Sequence, residues 1–171
     1  SPFMARKQKR RGADTTEGFQ AFEHELAARE VGPAPLRFCF LAMGGEGRGE
    51  QTLVTDQDNA ILYENPPDEE TARRAGEYFA QLGGKVCGWL AEAGYARCRG
   101  EVMASNPRWR RPLAAWERQF AEWITGATPQ DLLEFNMFFD FRCVAGECEL
   151  ACALRRSEVV LNYDKVGYSD E

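Results

Sequence analysis

Four glycines in six residues, Gly44, Gly45, Gly47 and Gly49, interrupt the chain between two short apolar runs, and Asp56-Gln57-Asp58 follows them. The run upstream, Leu36 to Met43, is aromatic and apolar and is bounded by Pro35 and Gly44. It is too short for a stable helix and suits a buried strand. The run downstream, Ala60 to Tyr63, stops at Asn65-Pro66-Pro67 and reads as a second strand begun near Asp56. Two such strands lie close enough in sequence to be sheet neighbours. The chain must therefore build a sheet, with a glycine bend and two carboxylates at one end of it.

The remaining periodicity is helical. Phe19, Phe22, Leu26 and Ala27 predict an amphipathic helix over Thr16–Glu30, with Thr15 or Thr16 to cap it and Gly32-Pro33 to stop it. Ala75, Phe79, Leu82, Val86 and Leu90 recur every three or four residues and predict a long helix from Asp68 to about Ala93, packed on the sheet and open to a bend at Gly83-Gly84. Arg97 to Met103 reads as a weak third strand, broken by Asn106-Pro107. Everything after it reads as helical. Pro112 suits the first turn of a helix lined by Trp116, Phe120 and Trp123, and Pro129 opens another carrying Leu132, Phe135, Phe139 and Cys143. These aromatics are read as core.

Composition limits the classes available. With 171 residues, 44% hydrophobic and 28% charged, the chain can bury one sizeable core but not two large ones. Its net charge is -6, and Arg6, Lys7, Lys9, Arg10 and Arg11 put five positive charges into the first eleven residues, leaving -11 on the rest. A body of that sign does not hold nucleic acid by counterion release, and the basic arm reads as a solvated tail. No run reaches the ~18 apolar residues of a membrane span and none has the form of an export signal, so a cytoplasmic, membrane-free protein is expected. Free thiols are therefore expected at Cys39, Cys87, Cys98, Cys143, Cys148 and Cys152. Cys148 and Cys152, four apart, read as small buried hydrophobes. The single histidine, His24, stands far from all six, which disfavours a structural zinc site.

The chemistry concentrates in Gly44 to Ala60. Clustered glycines suit either a tight surface loop or a turn whose amides approach a phosphate. The stretch matches neither GxGxxG nor GxxxxGK, which removes the dinucleotide and P-loop readings. In an extended chain Asp56 and Asp58 project from one face, with stems about 7 Å apart. Two carboxylates so placed repel each other when nothing lies between them, and suit a pair of divalent ions about 4 Å apart. Magnesium with a triphosphate is the natural filling, because magnesium takes few carboxylates and completes its shell with water and phosphate oxygens. The plainer alternative is that both acids decorate a turn. An EF-hand calcium loop fails, since Ala60 and Ile61 occupy the positions of its fifth and sixth residues, and a serine triad fails for want of a GxSxG elbow.

A strand, a glycine turn and a downstream Asp-x-Asp resemble the nucleotidyltransferase superfamily of the DNA polymerase beta-like enzymes. Gly44 to Ala60, with its Gly-Arg-Gly-Glu-Gln-Thr string and Thr-Asp-Gln-Asp-Asn-Ala, is similar more narrowly to the nucleotidyltransferase family DUF294, whose relatives include the PII-protein uridylyltransferases. Gly100-Glu101-Val102-Met103-Ala104-Ser105-Asn106-Pro107-Arg108-Trp109 and Phe138-Phe139-Asp140-Phe141-Arg142 resemble the same family, so the likeness covers most of Leu36 to Leu154.

The resemblance implies an α+β fold: a small mixed β-sheet flanked by helices, with a C-terminal helical part. The expected division is a basic tail over 1–13, a nucleotidyltransferase-like α/β domain over 14–111, and a helical part over 112–171, incomplete if the chain is a fragment. It further implies that Asp56 and Asp58 bind metal, two Mg²⁺ ions when a nucleoside triphosphate is present, that Gly44 and Gly45 hold phosphates, and that Arg48 neutralises phosphate charge. Glu50 and Gln51 would orient Arg48 or contact metal-bound water. An acceptor hydroxyl, on a protein or a small molecule, would attack the α-phosphorus of ATP or UTP and release pyrophosphate. Glu101 and Asp140 are the candidates for a third carboxylate; Glu101 is favoured as a strand neighbour, whereas Asp140 with Arg142 suits an ion pair. Gly45 departs from the family, which usually has serine there, and the missing hydrogen bond to a charged group is worth ~1.5–3 kcal/mol. The competing expectations are a catalytically inactive nucleotide-sensing domain and a regulatory partner-binding domain. Relatives commonly carry CBS or cyclic-nucleotide-binding regions, which are not visible in this sequence.

Overall fold

The computed structural model of the chain describes residues 27–43, 56–126 and 128–166, with side chains to 157 apart from Met137. Residues 27–31 are helical and end at Gly32, whose φ of 101° is the left-handed conformation that glycine adopts freely. The strands are β1 (Phe38–Ala42), β2 (Asp56–Gln57), β3 (Asn59–Tyr63), β4 (Ala96–Arg97), β5 (Arg110–Pro112) and β6 (Arg142–Gly146). The helices are α1 (Glu69–Glu92), α2 (Leu113–Gly126), α3 (Pro129–Phe139) and α4 (Cys148–Val166).

β1 and β3 pair antiparallel, with Leu41 opposite Ala60 and Ala42 opposite Asn59. The larger sheet has the order β5-β3-β1-β6, with β5 parallel to β3 and β6 antiparallel to β1, and β2 and β4 form a short parallel pair. The sheet is mixed and flanked by helices, as expected. β1 and, after Asn59, β3 are apolar because both of their faces are covered. Phe40, Ile61 and Tyr63 turn to one face and meet Ala75, Phe79, Leu82, Val86 and Leu90 of α1. Cys39, Leu41, Ala60 and Leu62 turn to the other, where Trp116, Phe120, Trp123, Phe138 and Leu154 of α2, α3 and α4 close the core. Trp116 and Phe138 lie 4.6 Å apart at their ring centroids, and the Trp116 indole N–H donates to the Ile61 carbonyl at 3.3 Å.

α1 starts where Asp68 accepts from the Thr71 amide at 2.7 Å. The helix runs without interruption through Gly83-Gly84. Gly83 serves a close approach: a Cβ there would lie 2.2 Å from the Ala104 carbonyl oxygen. That contact brings the segment after β4 onto α1, beside the aspartate-bearing strand.

Three expectations need correction. The third strand is only Ala96–Arg97 and stops before Glu101, because residues 98–106 fold into turns held by bonds such as Glu101 N–H to the Cys98 carbonyl at 3.1 Å. The C-terminal part is not wholly helical: β5 ends at Pro112, and β6 returns to pair with β1. In α3 the buried aromatic is Phe138, while Leu132 and Phe139 are exposed and Cys143 belongs to β6; the buried stripe runs one residue off the expected one.

The cysteines also depart from expectation. Cys143 and Cys148 form a disulfide across the tight turn from β6 into α4, where their Cα atoms stand 5.5 Å apart. Gly146 makes that turn possible, with φ of 91° and no room for a Cβ against the Phe38 carbonyl oxygen. Cys152 is exposed rather than buried, and Cys39, Cys87, Cys98 and Cys152 are free. Burial pushes the Cys39 thiol up to about 12.

Candidate active site

The strand that carries the two aspartates is held by the polar residues between and after them. Gln57 is buried, and its Nε2 donates to the Cys87 and Tyr95 carbonyls, each at 3.2 Å. Asn59 is buried as well; its Oδ1 accepts from the Ala104 amide at 2.8 Å and from the Cys87 thiol. Both point toward α1. Asp56 lies close enough to Asp58 for its charge to act on the Asp58 carboxyl.

The backbone fixes where this happens. The Met43 amide donates to the Asp58 carbonyl at 3.0 Å, so Asp58 lies against the residue that follows β1. The Asn59 amide donates to the Val102 carbonyl at 3.1 Å and brings the 98–106 turns to the same end. Arg142 pairs with Ala42, and Asp140, which caps α3, precedes it by two residues. One end of the sheet thus gathers Met43, Asp58, and the backbone around Glu101 and Asp140.

The electrostatics distinguish Asp58 from an ordinary surface acid. Burial pushes its carboxyl above the usual value, a hydrogen bond with Cys98 acts in the opposite direction, and the charge of Asp56 pushes it up again. Its Oδ1 is buried and has no hydrogen-bond partner. A carboxylate so placed is stabilised by a cation. The residues therefore fit a divalent ion in their donor chemistry. Among the described residues no three His, Cys, Asp or Glu side chains cluster closely enough to hold one by themselves, so the rest of a coordination shell would come from water or phosphate oxygens.

The third carboxylate is not fixed by this arrangement. Glu101 is exposed in a turn with φ of 54°, its carbonyl accepting from the Met103 amide at 2.9 Å and from Asn106 Nδ2 at 3.1 Å. Asp140 is half-buried at the end of α3. Gly44, Gly45, Arg48, Glu50 and Gln51 lie outside the described residues. Cys98 beside Asp58 escaped the sequence reading, for nothing in its spacing marks it; Gln57 and Asn59 could have been found, as polar residues in phase with an otherwise apolar strand face.

A mixed sheet between helices, with an Asp-x-Asp pair at one end of it, is consistent with a nucleotidyltransferase-like α+β fold. Residues 15–130 match the family model described as "Putative nucleotidyltransferase DUF294", and the chain belongs to that family. The family carries a general nucleotidyltransferase function, with a nucleoside triphosphate as its substrate. No curated protein and no solved structure matches the chain. Among the described residues no helix is long and apolar enough to cross a membrane.

Proposed function

We propose that the chain transfers a nucleoside monophosphate from ATP or UTP to a hydroxyl of a protein or small-molecule acceptor, with Mg²⁺ as the counter-ion and pyrophosphate as the leaving group. The observation that carries this reading is the buried, partnerless oxygen of Asp58, near Asp56 and against Met43 at one end of the sheet. Asp56 and Asp58 would hold the ions. When bound, such ions supply charge neutralisation of the triphosphate and polarise the oxygens of attack and departure.

The chain's own groups do the positioning. Gln57 and Asn59 anchor the strand to α1. Amides of Gly44 and Gly45 would receive phosphate oxygens, and Arg48 would offset the charge that builds on the leaving pyrophosphate, with Glu50 and Gln51 beside it. The acceptor oxygen bonds to the α-phosphorus, the bond from that phosphorus to the bridging oxygen breaks, and the hydroxyl proton is lost. Glu101 and Asp140 both reach this end of the sheet through their backbones and remain the two candidates to assist.

A pyrophosphate-release assay with ATP and with UTP tests the reading, run beside calorimetric titration of each nucleotide with Mg²⁺. Asp56→Asn with Asp58→Asn should abolish metal-dependent release, and retained turnover in that double variant would sink the proposal. Tight nucleotide binding without turnover in the unaltered chain would favour a nucleotide sensor. Comparison of Glu101→Gln with Asp140→Asn assigns the third acid.

A further inference from the structure

An open groove of about 700 Å³ runs between α2 and α4, on the side of these helices away from the core. Ala114 and Ala121 of α2 and Ala153 of α4, all half-buried, line it, and the exposed Arg118 and Arg156 stand along it, one on each helix. Ser157 Oγ donates to Glu117 Oε1 at 2.5 Å and ties the two helices together across it.

The charge of this lining runs against that of the chain, whose net charge is -6. Arg118 and Arg156 have no hydrogen bond or ion pair among the described residues. The adjacent Arg155 is used by the fold: it donates to the Phe139 carbonyl at 3.4 Å and to the Phe141 carbonyl, and it lies over the Phe141 ring. Glu117 is the acid of the lining and is engaged by Ser157, so two guanidinium groups against one carboxylate leave the groove positive.

The shape selects the kind of ligand. Ala114 and Ala121 are two turns apart on α2, so their methyl groups leave space along the helix axis for the larger apolar side chains of a third helix. An open trough covers one side of its occupant, which suits a polypeptide helix, whereas a small molecule needs walls around most of its surface. Arginines without partners at the edge of such a trough complement carboxylates.

We propose that the groove between α2 and α4 docks an acidic amphipathic helix of another protein, with its apolar face on Ala114, Ala121 and Ala153 and its Asp or Glu side chains paired with Arg118 and Arg156. Asp56, Asp58, Glu101 and Asp140 do not line the groove, so the proposal stands apart from the metal-site reading.

The probe is a fluorescein-labelled peptide of about 20 residues, with leucines along one helical face and glutamates beside them, titrated with the full chain by fluorescence anisotropy. A second peptide carries lysine in place of each glutamate. The glutamate peptide should bind at least about tenfold more tightly than the lysine peptide. Arg118→Glu combined with Arg156→Glu should weaken its binding about tenfold or more at an unchanged melting temperature, because two attractions become repulsions. Ala153→Leu fills the groove and should weaken binding by a similar factor, and Ala114→Leu replaces it if that variant fails to fold. Absence of binding, equal binding of the two peptides, or parent-like binding by either the arginine or the leucine variant overturns the proposal. Sedimentation of the chain alone supplies the last arm: a dimer that is lost in Ala153→Leu gives the groove to a second copy and removes the acidic partner.

Discussion

Asp58 and Glu134 are both carboxylates drawn out of water, and the protein treats them in opposite ways. Glu134, on α3, is 5% exposed and fully engaged: Oε2 accepts from Arg108 at 2.5 Å and from the Trp123 indole at 3.0 Å, and Oε1 accepts from Gln130 at 2.9 Å. It joins the turn before β5 to α2 and α3. Asp58 has a like charge nearby and one buried oxygen with nothing. A buried acid with its hydrogen bonds complete stabilises the fold, whereas one left incomplete costs stability that only a ligand returns. Under the proposed function, the contrast is between an acid that braces the fold and one that would hold a cation.

Substitution is the direct way to break that contrast. Asp58→Asn should lower metal-dependent pyrophosphate release by at least about 100-fold, the scale of losing one preorganised electrostatic group, while Glu134→Gln stays within severalfold of the parent. In chemical denaturation the order reverses. Glu134→Leu strands the buried Trp123 N–H and should lower unfolding free energy by about 2 kcal/mol, with Arg108, 50% exposed, finding water instead. Equal destabilisation by Asp58→Asn would erase the distinction.

Two smaller effects sharpen it. Reduction of Cys143–Cys148 releases a short loop and should lower stability by up to about 2 kcal/mol, with Mn²⁺ affinity unchanged if the aspartate end of the sheet stands independently of the β6–α4 turn. Thr128→Ala removes a capping box from α3, the helix of Glu134, and should cost about 1 kcal/mol with no effect on metal binding.

The pH dependence gives the smallest signal. Asp58 has a folded-state pKa raised above 3.8, so the folded state binds its proton more tightly than the unfolded state does. Its contribution is therefore most favourable below 3.8 and is lost as pH rises through the raised value. Asp58→Asn should flatten that part of the stability profile measured without metal, and Mn²⁺ should restore stability to the parent alone.

Much of the fold was legible because its signals are local. Pro35, Gly44 and Asn65-Pro66-Pro67 bound the two central strands, and Asp68 with the seam from Ala75 to Leu90 defines α1, so composition and period suffice. The failures share a cause as well. β5 and β6 hide because Arg110-Arg111-Pro112 and Arg142 to Gly146 have little strand character of their own and become strands by pairing with β3 and β1. In α3, Phe135, Phe138 and Phe139 permit two phases, and packing under Trp109 and Trp116 selects Phe138. The candidate site divides in the same manner: the Asp-x-Asp alternation could be read, and the thiol at Cys98 could not.

The sequence by itself singled out Asp56 and Asp58 as the residues of the proposed site, two apart in an extended stretch, since backbone geometry makes alternation a local property. Tertiary structure decided which Asp58 oxygen is left without a partner, that Cys98 stands near Asp58, and that the Cys143–Cys148 bond forms. Each of those depends on distances between segments remote in sequence or on the path of a turn, and such distances are set by packing rather than by the chain's local preferences.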